Sequence, residues 1–240
     1  MEKRKILVTG ASRGLGLAIS KKLSLDYELI LHASKKESFT EIIPGSDMLC
    51  ADFTDQEQVA AFCKQLKKEY GQSLYAVINN AGLTFDKPLN FQPDREIDAM
   101  LNTNLRAPIM ICKTAMKIFG LLNRGVIINV SSIVGETGNA FQSVYAATKA
   151  GLTALSRSLA QEAAALNENH NIRVLTVSPG FVDTEMTAGI PDKIKEKYLG
   201  MIPAKRFGSA EDVAEAIAFL LSDKASYING TNIHINGGLI

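Results

Sequence analysis

The chain has no surplus of either charge: 26 lysines and arginines stand against 25 aspartates and glutamates, a net of +1. Without a basic excess there is no electrostatic footprint for nucleic acid or an anionic membrane as main partner. Cysteine is scarce and odd in number. Cys50, Cys63 and Cys112 have no paired spacing, which excludes a disulfide framework and reads as reduced, mostly buried thiols of a cytoplasmic protein. His32, His170 and His234 stand apart, without partners at metal-ligand spacing, so no metal site is expected. No apolar run reaches the roughly 18 residues of a membrane helix. The start, Met-Glu-Lys-Arg-Lys, is basic like a signal peptide, but its apolar run ends at Val8 and no small-residue cleavage site follows. Linkers rich in Pro, Gly or Ser are missing and so are repeats, which leaves one domain over residues 1–240.

What is present is the balance of a globular protein, 46% hydrophobic and 21% charged. A chain of this length buries roughly 70% of its unfolded surface, enough to be stable without staples. Short apolar runs alternate with amphipathic stretches. Strands are expected at Lys5–Thr9, Glu28–Ala33, Asp47–Cys50, Leu74–Asn79, Gly125–Ser131, Ile172–Ser178 and Asn232–Ile235, several without polar alternation, as in strands buried on both faces. Thr54-Asp-Gln-Glu57 reads as a capping box opening a helix to Tyr70, and Ser209-Ala-Glu-Asp212 starts another. Longer helical patterns run over Asp94–Phe119 and Ser143–Asn167. The alternation predicts an α/β fold: a single-domain, doubly wound Rossmann sheet of seven parallel strands with helices on both faces. Gly180–Gly208 fits neither pattern and lies where such sheets carry ligands, a candidate substrate lid.

Gly10, Gly14 and Gly16 follow the first strand and open the first helix, the place for a pyrophosphate against bare backbone and helix N–H groups. The spacing is G-x-x-x-G-x-G, and the Lys-Ser/Thr ending of a P-loop is missing. An NAD site places a carboxylate about 20 residues on, at the end of the second strand. Here that strand ends His32-Ala33-Ser34-Lys35-Lys36, with no acid before Glu37. Ser34 and Lys35 can donate to a ribose 2′-phosphate, and Arg13 can clamp it from the neighbouring turn. NADPH is the expected cofactor.

Tyr145 and Lys149 lie four apart in a helical pattern and share one face. A cationic lysine beside a phenol of pKa about 10 favours the phenolate and moves it towards the working range.

These pieces together resemble the short-chain dehydrogenase/reductase family along essentially the whole chain. They are T-G-A-S-R-G-L-G at 9–16, Asp52, N-N-A-G at 79–82, Asn104, Ser132, Y-A-A-T-K at 145–149 and P-G-F-V-D-T at 179–184, with Ser132 thirteen residues before Tyr145. The resemblance implies that Tyr145 protonates a carbonyl oxygen, Ser132 holds that oxygen, Lys149 binds the nicotinamide ribose and tunes Tyr145, and Asn104 holds a water of a proton relay. It implies cofactor contacts from Gly10, Ser12, Arg13, Gly14, Leu15, Gly16, Ser34 and Lys35. Further along, Asp52 and Phe53 would flank the adenine, and Asn80, Ala81 and Gly82 the adenosine ribose. Pro179, Gly180, Val182 and Thr184 would lie by the nicotinamide. Substrate contacts would come from Ser132, Gln142 and Tyr145.

Stretches 135–151, 178–187, 202–223 and 226–238 are most similar to the 3-oxoacyl-acyl-carrier-protein reductases. This implies NADPH-dependent reduction of a 3-oxoacyl thioester, carried on acyl carrier protein, by a homotetramer in fatty-acid or related polyketide or polyene biosynthesis. Departures leave room for a specialised ketoreductase. The two basic carrier-docking positions of that subgroup correspond to Asn123, beside Arg124, and the neighbourhood of Leu166; Lys36–Ser46 is short for a helix. Reduction of another ketone (a coenzyme A thioester, sugar or steroid) and a non-catalytic NADP-sensing role remain the alternatives.

Overall fold

The structure is a computed structural model that describes residues 4–166, 171–183 and 192–240, with side chains from 195 onward in the last segment. Its strands are β1 (Lys5–Val8), β2 (Glu28–Ala33), β3 (Asp47–Cys50), β4 (Leu74–Asn79), β5 (Gly125–Val130), β6 (Ile172–Pro179) and β7 (Asn232–Ile235). All neighbours pair in parallel, in the order β3-β2-β1-β4-β5-β6-β7. The helices are α1 (Gly14–Leu23), α2 (Gln56–Tyr70), α3 (Asp94–Leu101), α4 (Ala107–Leu122), α5 (Val134–Thr137), α6 (Ser143–Leu166), α7 (Asp192–Met201) and α8 (Ala210–Leu221).

Alternate strand residues feed two cores. Ile6, Val8, Leu29, Leu31 and Ile78 pack with Ile19 of α1 and Ile217 of α8. Leu7, Ile30, Val77 and Ile127 pack on the other face with Leu66 of α2, Ile111 of α4 and Ala160 of α6. Each core strand is therefore apolar at successive positions, which is why polar alternation is missing from the sequence. Chain order reverses between β1 and β4, so the crevice beyond their carboxyl ends is the expected ligand edge.

Three local features differ from the sequence reading. Helix α2 is capped by Asp55, whose Oδ1 accepts from Glu57 N–H at 2.8 Å and Gln58 N–H at 3.3 Å. Thr54 instead donates to Asp52 Oδ1 at 2.8 Å. The predicted helix 94–119 is interrupted at Asn102–Arg106 by a π turn, in which Ala107 N–H reaches back to the Asn102 carbonyl. Of the three cysteines, all free, Cys63 and Cys112 are buried but Cys50 is exposed. Helix α6 is described to Leu166, so its predicted last residue Asn167 lies outside the described residues, as does His170. Between β2 and β3 there is one 3-10 turn, Lys36–Ser38, as the shortness of that segment suggests.

Candidate active site

The site begins at the turn after β1. Gly10 and Gly14 have φ of +64° and +52°, which glycine adopts without strain. At Gly16 the constraint is space: a Cβ there would lie 2.0 Å from the Gly10 carbonyl oxygen. No other group lies within 4 Å of a Cβ at Gly14, so the turn is open there. Helix α1 starts without a side-chain cap and without an acid in its first turn, leaving its N–H dipoles for an anion. This cradle fits the pyrophosphate of a dinucleotide. Ser12 is buried beneath it, Leu15 is half-buried, and Arg13 is exposed at its rim.

The turn is held from two sides. Asn80 Nδ2 donates to the Thr9 and Gly10 carbonyls at 3.0 and 3.2 Å, while Asn80 and Ala81 N–H groups both donate to Thr9 Oγ1 at 3.0 Å. From β2, His32 Nδ1 accepts from Gly10 N–H at 3.2 Å. Its Nε2 then carries the proton and donates to the Ala51 carbonyl at 3.0 Å. Burial drives the His32 pKa down to about 4, against the opposing pull of that carbonyl and of Asp52. The imidazole is neutral and structural.

Sequence reasoning did not single out His32, although a lone histidine inside the apolar strand Glu28–Ala33 was the available signal. The Phe53 ring is buried and stacked on His32 at 3.9 Å. Ser34 and Lys35 are exposed on the loop after β2, and Asp52 follows β3. Thr40 N–H and Oγ1 both donate to the Ser12 carbonyl, at 3.1 and 2.9 Å, drawing this loop against the glycine turn.

The second half of the site lies beyond β4 and β5. Ser132 follows β5; its Oγ accepts from Val134 N–H at 3.2 Å, and its hydroxyl acts on the Tyr145 phenol, favouring the phenolate. Tyr145 and Lys149 are one turn apart on α6. The Lys149 Nζ is buried, donates to the Val130 carbonyl at 2.8 Å and lies 5.6 Å from the Tyr145 ring centre. Burial lowers the Lys149 ammonium to about 8. The Tyr145 phenol is pushed up to about 12, mostly by burial and further by the Asp86 carboxylate, against the bond to Ser132. In the protein alone, burial is the largest influence on this phenol.

Asn104 is fully buried in the π turn. Its side chain is occupied by the Leu83 backbone, accepting from N–H at 2.9 Å and donating to the carbonyl at 2.8 Å, with Thr148 Oγ1 at 3.3 Å. The amide thus ties the loop after β4 to α6. Gly82 sits between the two: a Cβ on it would lie 3.4 Å from both Asn104 Oδ1 and Lys149 Nζ.

Gln142 is likewise committed: its Nε2 donates to Asp86 Oδ2 and its Oε1 accepts from Asn139, both at 2.9 Å. It ties two loops together. Pro179 ends β6, and Gly180 passes so close to Asn236 that a Cβ would lie 2.8 Å from its Cβ. Val182 is buried and bridges Gly208. Thr184 lies outside the described residues, as do 184–191 of the expected lid. The base of that segment is aromatic, with Phe181 4.0 Å from Tyr198 and 5.8 Å from Phe207.

Beneath the site runs a buried polar chain that sequence reading missed. Asn79 Nδ2 donates to Asn129 Oδ1, and Asn129 Nδ2 to Ser156 Oγ, both at 2.8 Å. Asn79 and Asn129 are register partners of β4 and β5, a juxtaposition only the sheet creates.

Comparison with known proteins agrees with this geometry. The family model described as "Enoyl-(Acyl carrier protein) reductase" matches residues 10–240. The chain is 38% identical to the 3-oxoacyl-[acyl-carrier-protein] reductase FabG of Haemophilus influenzae, over 100% of this chain and 99% of that protein. It is 37% identical to the FabG of Escherichia coli K12 and 39% to that of Pseudomonas aeruginosa, each over 97% of this chain and 96% of the relative. A crystal structure assigned to the short-chain alcohol dehydrogenases, from Sinorhizobium meliloti 1021, superposes with a TM-score of 0.91 at 32% identity, over 100% of this chain and 97% of that one. With the glycine cradle, the Ser132–Tyr145–Lys149 group and these full-length likenesses, the chain belongs to the short-chain dehydrogenase/reductase family of nicotinamide-dependent oxidoreductases.

Proposed function

We propose that the chain reduces the 3-oxo group of an acyl thioester, carried on acyl carrier protein, to the 3-hydroxyacyl thioester with NADPH. The observation that carries this reading is the pair of Ser132 and Tyr145 hydroxyls converging beside Lys149, in a chain similar end to end to 3-oxoacyl reductases. Bound in the glycine cradle, the cofactor supplies the hydride. Ser132 holds the carbonyl oxygen while Tyr145 gives it a proton. A phenol near pKa 12 remains protonated at neutral pH and is still a far stronger acid than the alcohol being formed, so the transfer runs downhill. Lys149 stabilises the phenolate left behind and offers hydrogen bonds to ribose hydroxyls. Asn80 and Gly16 keep the cradle open, and Asn104 fixes the loop carrying Leu83.

Preference for NADPH rests on the acid-free end of β2 and on Arg13, Ser34 and Lys35, all exposed on two loops joined by the Ala11 N–H bond to the His32 carbonyl at 2.8 Å. We read the assembly as a homotetramer in the cytoplasm. Exposed Ile109 and Leu121 on α4 and Phe219 on α8 supply apolar surface for helix pairing, and among the described residues no helix is long and apolar enough to cross a membrane.

The test is NADPH consumption with acetoacetyl thioesters. Tyr145→Phe should abolish or strongly cut it; undiminished turnover removes Tyr145 from the mechanism. The matching family model is described by a different activity, enoyl reduction. Crotonyl thioesters in the same assay discriminate, since two hydroxyls aimed at one oxygen favour a ketone. Presenting one acyl chain on acyl carrier protein and on coenzyme A decides the carrier.

A further inference from the structure

Two loops meet beside Tyr145: residues 80–93 after β4 and residues 138–142 before α6. Two bonds latch them together. Lys87 N–H donates to the Phe141 carbonyl at 2.9 Å, and Gln142 Nε2 donates to Asp86 Oδ2 at 2.9 Å. The latch is braced on both sides, by Thr84 Oγ1 on Asp86 Oδ1 at 2.5 Å and by Asn139 Nδ2 on Gln142 Oε1 at 2.9 Å. Ala146 N–H donates to the Gln142 carbonyl at 2.8 Å, so the latch opens the helical turn that carries Tyr145.

Immediately next to the latch in sequence stand two phenylalanines with large areas in water, Phe85 at 36% and Phe141 at 58% exposed. Phe141 also has φ of +70°, a region glycine enters freely and a bulky side chain only under strain. A phenylalanine whose backbone is strained and whose ring is solvated does less for folding than glycine would. Strain kept at the edge of a site points to use by a ligand.

We propose that Phe85 and Phe141, carried on the latched loops, form an aromatic rim that takes the apolar tail of the acyl chain and makes the enzyme select 3-oxoacyl thioesters longer than acetoacetyl. This rests on the thioester-reductase reading above and specifies its substrate class. Chemistry favours the tail over the thioester handle as occupant. The handle bears amides and phosphate, whereas the lone cation of these loops, Lys87, is paired with Glu96 at 2.6 Å. Exposed Leu89 and Phe91 continue the apolar surface along the first loop.

The experiment compares kcat/KM for 3-oxododecanoyl-CoA and acetoacetyl-CoA in wild type, Phe141→Gly and Phe85→Ala. The wild-type ratio should favour the long chain, and each variant should lower that ratio about tenfold, the worth of losing one aromatic contact with an alkyl chain. Phe141→Gly relieves the backbone, so its melting temperature should match or exceed wild type, which separates lost recognition from lost folding. A ratio unchanged by both variants, or a wild-type ratio near one, overturns the rim. Equal losses when only the handle is changed to N-acetylcysteamine would assign the rings to the handle and overturn it as well. Should wild type reduce neither these thioesters nor the same 3-oxoacyl chains on acyl carrier protein, the functional reading fails by itself. Binding of 3-oxododecanoyl-CoA to the Tyr145→Phe protein then decides the rim, which falls if Phe141→Gly leaves the Kd unchanged.

Discussion

At Gly16 one additional carbon has no room, since it would sit 2.0 Å from the Gly10 oxygen and 2.6 Å from Asn80 Nδ2. Gly16→Ala should therefore abolish the thermal stabilisation conferred by NADPH, measured as a melting shift. Arg13→Ala should weaken NADPH about ten- to a hundredfold while barely changing NADH, the size of one lost charge-assisted contact; titration of both nucleotides checks it, and equal weakening would remove the 2′-phosphate role. His32 gives a pH signature. Its folded pKa, about 4, lies below the unfolded value of about 6.5, so the unfolded chain binds more protons between these limits. The stabilisation is complete above pH 6.5 and is lost as pH falls towards 4, a decline of roughly 3 kcal/mol. Urea unfolding across that window should show it, and His32→Gln should flatten it. Tyr145, Lys149 and Ser132 were legible as residues because their types and spacing carry chemistry. His32 and Asp86 were not, because their roles come from what the fold places against them.

Among the elements, α2 separates two readings of one stretch. The Thr54-x-x-Glu57 pattern fits a capping box, yet the backbone starts its helix one residue later, and Asp55 accepts the first free N–H groups. Asp55→Ala should lower the midpoint of denaturant unfolding, the loss of a helix N-cap. Thr54→Ala, which removes only an exposed bond to Asp52, should cost far less. The other sequence-read cap holds: Ser209 Oγ accepts from Asp212 N–H at 3.0 Å, and Asp212 Oδ2 accepts from Ser209 N–H at 2.8 Å. The π turn at Asn102–Arg106 was invisible in sequence, since an inserted residue leaves the apolar pattern of α3 and α4 nearly continuous. It is nonetheless what seats Asn104 against Leu83 and Thr148.

For the whole molecule, sedimentation should give a mass of four chains, and Ile109→Glu, which places a charge on the exposed apolar face of α4, should shift it to smaller species. The seven strands, their parallel pairing and the two-faced burial followed from sequence because a strand covered on both sides must be apolar at every position, and alternation with helices enforces crossover connections. The cofactor turn was equally legible: glycine is required wherever φ turns positive or backbone closes on backbone, as at Gly10, Gly14 and Gly16. The tertiary structure alone decided which polar side chains are free and which are used up. Gln142 bonds Asp86, the Asn104 amide bonds Leu83, and His32 bonds Gly10 and Ala51. It also decided the burial at the centre, which raises the Tyr145 phenol and lowers the Lys149 ammonium. Residue type and separation along the chain set which groups can meet. Burial, and the partners that folding delivers from distant segments, set their charge.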